Sequence, residues 1–411
     1  MTAANLNLLV WAIATLLGVS ALKAQTFNSG SDGSDGALDL TGQSGTVVFN
    51  PNSFNPLLDP DHDNVFHFTT IKIPAGLTVR LSADVLGIKP VIWLASGAVE
   101  INGKLDLKGS NGHDFRLAAL PSVAGAGGFS GGASATSATP FQRGTGPGGA
   151  PGAKGGGGHV VAGGGGTGVG GAAYGNDFLL PMMGGSGGAG ASVNGGGGGG
   201  AGGGAILIAS SGTISFQSGS EIDARGGVGY GGCLDGFSNQ GGGGGSGGAI
   251  RLMATTITGT TSLLVDGGQA CPEAGVGSQG RIRLEAFQRN LSGTMSPSVL
   301  VSTPGPVFPP ASAPSVHIVS IGGLTVPANP TGSFVFPDVT LDNAATVTIQ
   351  LTGSKVPVGT VVHLTLTPET GPIQNVDSTP LAGTFDSSTA TASLTVPHGF
   401  SRFSVQASWT P

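Results

Sequence analysis

Residues 201–227, AGGGAILIASSGTISFQSGSEIDARGG, place a β-prone segment between glycine runs. The middle has the aliphatic and hydroxyl side chains of strands, whereas glycine loses the most backbone entropy on folding. Similar strands recur along the chain, at VIWLASG (91–97), AILIASSG (205–212), AIRLMATT (249–256) and RIRLEAF (281–287). Their alignment puts four isoleucines in one column, which indicates a structural repeat: Ile92, Ile206, Ile250 and Ile282.

A second β-prone element follows three of these strands and ends near an aspartate, namely Asp106, Asp223 or Asp266. Glycine-rich excursions then leave the repeat at about residues 109–203, 226–248 and 267–280. One coil of this kind cannot bury its apolar face alone, but stacked coils can. The pattern predicts an all-β chain in which residues 25–295 form a parallel β-helix or related β-solenoid, with the insertions emerging along one edge.

The aspartates raise an electrostatic question. Strand alternation places Asp106 and Lys108 on one face, and Asp223 and Arg225 on the corresponding face of the next coil. Stacked aspartates would lie roughly 5 Å apart, so their charges need neutralising. Lys108 and Arg225, which lie on the same faces as Asp106 and Asp223, are the simplest partners for these carboxylates. The alternative is a metal-binding or sugar-binding row, as in β-helical polysaccharide lyases and hydrolases.

Two arrangements are open for glycine runs such as NGGGGGGAGGG at 194–204. They can form polyproline-II-like strands packed side by side, since glycine alone permits such close approach. They can also form a flexible brush. We expect partial order.

Beyond the repeat, residues 296–314 are rich in proline and serine and read as a linker. Residues 315–411 contain less glycine and show short alternating runs such as TVTIQL and TASLTV. This pattern predicts a small immunoglobulin-like β-sandwich. The Cys…Trp…Cys core of true immunoglobulin domains is missing, so the expectation concerns architecture alone.

The N-terminus indicates export. Residues 1–24 contain an apolar run followed by Leu22-Lys23-Ala24, a small-residue site of the kind that signal peptidase accepts. We expect cleavage before Gln25, no stable membrane span afterwards, and a secreted, extracellular or cell-surface location. The alternative is an uncleaved anchor.

The chain has two cysteines, Cys233 and Cys271. An even number in an oxidising compartment usually means a disulfide. The two residues lie in neighbouring excursions, so we predict a bridge between them; two buried thiols are the alternative.

An acidic stretch, DPDHDN at 59–64, carries alternating carboxylates at Asp59, Asp61 and Asp63. Oxygen ligands at positions 1, 3 and 5 of a loop can converge on calcium. Calcium is the one possible cofactor that the residues suggest, and none is required. The alternative is a solvated acidic turn.

Composition argues against several functions. With 16 Lys plus Arg in 411 residues, the chain has no basic patch for nucleic acid. Gly-x-Ser-x-Gly occurs around Ser130, Ser186 and Ser246, but a nucleophile elbow needs a strand before it and a helix after it. In a chain with 79 glycines the motif arises by chance. We identify no catalytic constellation and expect a non-enzymatic protein.

Several segments together, including DNVFHFTTIKIPAGLTVRL, PVIWLASGAVEINGKLDLKGSNG and GRIRLEAF, resemble a group of uncharacterised exported bacterial glycine-rich proteins that look β-helical. The resemblance covers about residues 27–290. It implies a secreted or surface location and brings no catalytic residue.

The first functional hypothesis is a secreted or cell-surface structural or adhesive protein that displays glycine-rich loops. Its partners would be cell-surface or matrix polysaccharides or other surface proteins. The second is a carbohydrate-binding or carbohydrate-active β-helix, which needs acidic side chains and aromatics such as Trp93 or Tyr230 to converge in a groove. The third is an ice-binding or mineral-binding surface built from ordered glycine strands.

Overall fold

The computed structural model describes residues 25–409 except 61, 115–119, 138–139, 194, 231–239, 272, 329, 331–336, 343 and 369–373. The predicted signal segment, 1–24, lies outside these residues. The chain is nearly all β, as predicted. Its described helices are the four-residue α1, Ala83–Leu86, and a single 3-10 turn at Pro51–Ser53. Within the described residues no helix is long and apolar enough to cross a membrane.

The first part of the chain forms one twelve-stranded sheet. Its strands are β1 (Gly36–Asp39), β2 (Gly45–Val48), β3 (Val65–Ile73), β4 (Leu77–Arg80), β5 (Val91–Ala95), β6 (Val99–Ile101), β7 (Lys104–Asp106), β8 (Ala205–Asp223), β9 (Ala249–Leu264), β10 (Arg281–Ser292), β11 (Met295–Ser296) and β12 (Val299–Ser302). All the pairings between them are parallel.

The pairings follow chain order from one level to the next. β5, β6 and β7 pair with successive parts of the long strand β8, β8 pairs along its length with β9, and β9 with β10. At the preceding level, β3 pairs with β5 and β6, and β4 pairs with β7. Similar sequence segments therefore lie directly above one another.

The register confirms three members of the predicted isoleucine column and corrects the fourth. Ile206 pairs with Ile250, and Ile250 with Ile282. Ile206 pairs with Val91, however, so the prediction of Ile92 was wrong by one residue. The physical reason is the two-residue side-chain period, since a slip of one residue exchanges the two faces of a strand. Val91 is fully buried in the main core, whereas Ile92 packs on the opposite face.

The main core is continuous along the sheet. Aliphatic side chains from successive strands stack at its centre, and an aromatic cluster fills one end. Phe49 contacts Phe66 and Trp93 edge-on, with ring centroids 5.2 and 5.4 Å apart. Trp93 is fully buried there.

Three separate segments cover the opposite face of β5, β8 and β9. Phe27, Leu179 with Met182, and Val307 pack on a second apolar cluster that includes Leu207 and Met253. This face therefore has a core of its own. The predicted linker, 296–314, does not begin as free chain, because β11 and β12 pair with β9 and β10.

Residues after β12 are held by a buried ion cluster. Arg251 and Glu285 are 2% and 1% exposed, and Arg251 Nε donates to Glu285 Oε1 at 3.0 Å. Arg283 Nε donates to the same oxygen at 2.5 Å. Glu285 Oε2 accepts from the backbone N–H of Gly305 at 2.7 Å, so these charges fix the path of the chain.

The last part of the chain contains two antiparallel sheets. The five-stranded sheet has the order β14 (Leu324–Thr325), β13 (Ser315–Ile321), β15 (Ala345–Ser354), β19 (Ser388–Val396) and β18 (Ala382–Gly383). The three-stranded sheet has the order β17 (Gln374–Asp377), β16 (Val362–Pro368) and β20 (Ser401–Ala407). One hydrophobic core contains side chains from both sheets, including Ile349 and Leu351 of β15 and Leu364 of β16.

Candidate functional site

The glycine-rich excursions form an ordered bundle of extended strands, which we call the glycine bundle. Its segments are residues 107–114, 122–135, 142–159, 162–173, 184–191, 196–205, 224–230, 240–249 and 265–281, less those not described. Along 199–205 the N–H groups donate in turn to three neighbouring segments, at 2.7 to 3.0 Å. The acceptors, in order, are the carbonyls of Gly132, Gly243, Ser110, Phe129, Ser246, Leu107 and Ala126.

The same rotation recurs in the segment 242–248. Its acceptors, in order, are the carbonyls of Tyr230, Ala189, Gly275, Gly227, Ser186, Ser278 and Ala224. A period of three residues is that of the polyproline II helix, which has no internal hydrogen bonds and so leaves every N–H for a neighbour. The packed arrangement is thus the one present in the described segments, and the flexible brush is not.

Close approach explains why the segments are glycine. A Cβ on Gly203 would lie 1.9 Å from the carbonyl oxygen of Ala224. On Gly202 it would lie 1.8 Å from the oxygen of Gly185. Each backbone therefore occupies the volume that a side chain would need in its neighbour. Most glycines of the bundle are buried, whereas those at 163–170 are partly exposed or exposed.

One end of the bundle adjoins the sheet, where Gly204 N–H donates to Leu107 and Gly248 N–H to Ala224. The opposite end, which we call the far end, is marked by a second set of contacts. There Gly198 N–H donates to His113, and Tyr230 N–H donates to Gly198.

Larger side chains appear at the far end. Leu120, Val193 and Tyr230 are 44%, 40% and 38% exposed. The Tyr230 hydroxyl lies 3.3 Å from Asp114 Oδ2. Exposed aromatic and aliphatic side chains at the last described level of the bundle have the character of a recognition surface. We take the far end as the candidate functional site.

A buried polar cluster lies inside the bundle. The His159 ring stacks on Tyr174, and His159 Nδ1 lies 2.7 Å from the carbonyl oxygen of Gly247. Ser186 Oγ donates to the Tyr174 hydroxyl at 3.1 Å, and Ser186 N–H donates to Ser246 Oγ at 2.7 Å. Burial lowers the pKa of His159 to about 4. Sequence reasoning gave His159 no role, because GGGGHVV carries no motif.

These serines include two of the three Gly-x-Ser-x-Gly matches. Ser186 and Ser246 are fully buried, and Ser130 is 9% exposed. Their hydroxyls and backbone groups join segments of the bundle. These serines have a structural role, because buried serines in packed glycine segments offer no access to a substrate.

The predicted aspartate column forms in part. Asp106 of β7 lies opposite Asp223 of β8 in the strand register. Arg225 Nε donates to Asp223 Oδ1 at 3.0 Å, and Arg225 Nη2 donates to Asp223 Oδ2 at 2.7 Å. Arg225 is therefore the partner predicted for Asp223. Asp106 has a different partner from the one predicted. Arg80, on the preceding strand β4, donates from Nη1 to Asp106 Oδ1 at 2.9 Å. The prediction of Lys108 as its side-chain partner was wrong, since the strand below offers a closer cation.

Asp266 lies outside that column. Asp223 faces Leu264, so Asp266 is two residues further along. The Ser296 hydroxyl donates to Asp266 Oδ1 at 2.6 Å. The ion pairs and this hydrogen bond support the structural interpretation of the three aspartates.

Of the predicted calcium ligands, Asp59 and Asp63 bind backbone amides of a turn. Asp59 Oδ1 and Oδ2 accept from Asp63 and Asn64 N–H, both at 2.9 Å. Asp63 Oδ1 accepts from Val65 N–H at 2.8 Å. Burial raises the pKa of Asp59 to about 6. Asp61 lies outside the described residues, among which no group of three His, Cys, Asp or Glu side chains could hold a metal. Calcium binding stays a prediction.

The predicted disulfide also stays a prediction. Cys271 is buried beside Gly241. Cys233 lies outside the described residues.

A cleft of about 1060 Å³ lies between the two parts of the chain. Ile88 and Phe129 line it from the first part, and Val316, Phe403 and Val405 from the second. Among its polar lining, Arg402 is 8% exposed, and burial lowers its pKa to about 10 against the attraction of Asp84.

The carbohydrate hypothesis required Trp93 or Tyr230 in a groove. Trp93 lies in the main core, and Tyr230 at the far end. They are not brought together. No protein-family model, curated protein or solved structure matches the chain.

Proposed function

We propose that this chain is a non-enzymatic secreted or cell-surface protein that binds a surface polysaccharide or another surface protein through the far end of the glycine bundle. The observation that carries the proposal is the three-residue hydrogen-bond rotation, which holds the bundle rigid. A rigid support lowers the entropy lost when the side chains at its tip are immobilised in a complex.

The architecture fits such a support. We propose that the twelve-stranded parallel sheet is a short β-helix, because similar segments pair level by level in one chain order. The two C-terminal sheets form an immunoglobulin-like sandwich in this proposal. The order β13-β15-β19-β18 corresponds to strands A-B-E-D of that fold, and β16-β20 to C-F.

A binding experiment tests the proposal. The mature chain from Gln25 is applied to immobilised cellulose, chitin and alginate, and to whole bacterial cells. We expect retention on at least one probe, and a loss of tenfold or more in a Leu120→Ala, Tyr230→Ala double variant. Val169→Ala is the matched control, because Val169 is 61% exposed on the flank of the bundle. Equal retention of the tip variant, or no retention of the parent, would contradict the proposal.

A second candidate is binding of ice or a mineral by the flank of the bundle. Residues 160–173, VVAGGGGTGVGGAA, contain no charged side chain. Val161, Val169 and Val276 are 53%, 61% and 46% exposed, and Gly164 N–H donates to Val276. An uncharged apolar flank on a regular backbone favours binding of ice or a mineral. Thermal hysteresis that disappears in Val161→Lys, Val169→Lys would support it over the first candidate.

A further inference from the structure

One loop of the first glycine-rich excursion contains mostly other residues. Residues 174–183, YGNDFLLPMM, lie over the outer face of β8 and β9. Leu179 and Met182 anchor the loop there, in the second apolar cluster, and are 3% and 9% exposed. Phe178, next to the buried Leu179, is 65% exposed. The loop therefore presents an aromatic ring to solvent beside its own anchor.

The backbone of this loop is strained at Leu179, whose φ is 53°. Left-handed conformations are rare for bulky residues, and where the surrounding structure imposes them they cluster at ligand sites. Here the turn places Leu179 inwards and Phe178 outwards. Asn176 stabilises the turn, since its Oδ1 accepts from Phe178 N–H at 3.0 Å and its Nδ2 donates to the Leu180 carbonyl at 2.6 Å.

Two arginines of β10 bind the loop and fix the ring. Arg283 Nη1 donates to the Asp177 carbonyl at 3.1 Å, and Arg281 Nη1 donates to the Tyr174 carbonyl at 3.0 Å. The guanidinium carbon of Arg283 lies 5.3 Å from the centroid of the Phe178 ring, within range of a cation–π contact. Because the cation is on one side of the ring, the exposed area belongs to the opposite face. The ring is thus positioned before any ligand binds.

A carboxylate lies beside the ring. The Asp177 side chain is 72% exposed, and its Oδ1 lies 3.4 Å from Arg281 Nε. In the described part of the chain, its Oδ2 has no hydrogen-bond partner. A carboxylate oxygen accepts hydrogen bonds from hydroxyl groups. The loop therefore combines a flat apolar face with a free acceptor.

This combination fits a sugar ring better than a protein surface. A pyranose with equatorial hydroxyls has axial C–H groups on its face and hydroxyl donors at its rim. A stable protein interface buries about 800 Å² on each partner, far more than one phenyl ring on a loop provides. The Asp177 carboxylate repels acidic polysaccharides. The features of the loop therefore favour a neutral sugar chain.

We propose that Phe178 and Asp177 form a binding site for a neutral, β-linked polysaccharide of glucose-like residues. One sugar ring stacks on the open face of Phe178, and a hydroxyl at its rim donates to Asp177 Oδ2. The site combines an aromatic and an acidic side chain, as the carbohydrate hypothesis requires, at residues other than Trp93 and Tyr230. It is separate from the far end and does not depend on the function proposed above.

The probes are soluble cellotetraose and chitotetraose, titrated calorimetrically into the mature full-length chain. We expect at least one of them to bind with a Kd in the millimolar range or tighter. Phe178→Ala should weaken that binding by about tenfold or more, whereas Phe178→Trp keeps an aromatic face and should retain it. Asp177→Ala should weaken it about fivefold, through the loss of one hydrogen bond.

Phe385→Ala is the matched control. Phe385 is 53% exposed and also lies near a cation, with Lys355 Nζ 5.9 Å from its ring centroid, but it belongs to the last part of the chain. Its Kd should equal that of the parent. The titrations are repeated in the Leu120→Ala, Tyr230→Ala double variant, where the binding that depends on Phe178 should persist. That arm distinguishes failure of this site from failure of the far end.

Three results would overturn the proposal. The first is the absence of binding heat with both tetrasaccharides at millimolar concentration. The second is an unchanged Kd in Phe178→Ala at an unchanged Tm, which would mean that any sugar binds elsewhere. The third is retention on bacterial cells that depends on Phe178 but is abolished by protease treatment of those cells, which would mean a protein partner.

Discussion

The imidazole of His159 stacks on the phenol ring of Tyr174, with centroids 4.7 Å apart and planes inclined by 16°. The pair joins two bundle segments, since His159 Nδ1 faces the Gly247 carbonyl and the Tyr174 carbonyl accepts from Arg281 Nη1 at 3.0 Å. A carbonyl acceptor requires hydrogen on Nδ1, and the surroundings, which include the Arg281 guanidinium, disfavour the imidazolium. The packing therefore needs a neutral histidine.

This need predicts acid lability. The pKa of His159 is about 4 in the folded chain, mainly because of burial, against an ordinary 6.5. The stability that neutral His159 provides is complete above pH 6.5 and is lost as pH falls towards 4, because the unfolded chain takes up the proton first. The loss amounts to about 3 kcal/mol. Urea unfolding at steps between pH 7 and 4 measures it.

His159→Phe supplies the control for that measurement. It keeps a ring against Tyr174 and does not titrate, so the difference in stability between parent and variant should shrink as pH falls. A difference independent of pH between 7 and 4 would show that His159 is not buried in its neutral form. Carboxylates elsewhere titrate in both proteins and cancel in the difference.

Glycine packing predicts intolerance of a single methyl group. Gly203→Ala places Cβ within 1.9 Å of a backbone oxygen, which only a shift of the segment can relieve. Overpacking of this kind costs about 3 kcal/mol or more. Gly212→Ala is the matched control, because its Cβ would meet its nearest neighbour at 3.6 Å. Thermal unfolding of both variants should show a lower Tm for Gly203→Ala alone; comparable Tm values would mean that the bundle is loosely packed.

The repeat was predictable because the β strands carry it in their own side chains. Ile206, Ile250 and Ile282 share an environment, so they share a residue type. The register at Val91 was not predictable from similarity alone, because Val91 and Ile92 are both aliphatic and the burial of one face decides between them. The packing of the glycine segments could not be deduced from the sequence, because glycine has no side chain whose type would indicate which neighbouring segment accepts each backbone N–H.

The candidate site was harder to reach from sequence for a related reason. Leu120, Val193 and Tyr230 lie far apart in the chain, and only the stacking of glycine segments brings them to one end. The sequence motifs considered above, the Gly-x-Ser-x-Gly matches and the acidic stretch at 59–64, lie outside the far end. Ser186 and Ser246 hold the bundle together, and Asp59 closes a turn.

The buried ion cluster predicts a large effect at one residue. Glu285→Ala leaves Arg251 and Arg283 without their carboxylate, and removing one partner of a buried pair costs about 3–5 kcal/mol. It also frees the Gly305 N–H, so elastase, which cleaves after small apolar residues, should cut the segment after β12 faster. Asp386→Ala, which breaks the exposed pair with Lys355, should cost about 1 kcal/mol or less. Equal costs in urea unfolding would contradict a role for burial.

Calcium binding at the acidic turn has a distinct signature. A cation beside Asp59, Asp61 and Asp63 would favour ionised carboxylates and offset the burial that raises the pKa of Asp59 to about 6. Without the ion, the raised pKa means that stability is present below pH 3.8 and is lost as pH rises through about 6. We therefore expect calcium to raise Tm more at pH 7 than at pH 4.5.

The variants for this test separate ligation from folding. Asp61→Asn and Asp63→Asn remove charge, whereas Asp59→Ala also removes the acceptor of two turn amides. The calcium-dependent rise should vanish in the Asp61→Asn, Asp63→Asn double variant while its Tm without calcium stays near that of the parent. Asp59→Ala should lower Tm even without calcium. A parent chain whose Tm does not respond to millimolar calcium at pH 7 would leave these aspartates as a structural turn, stabilised by the amides of Asp63 and Asn64.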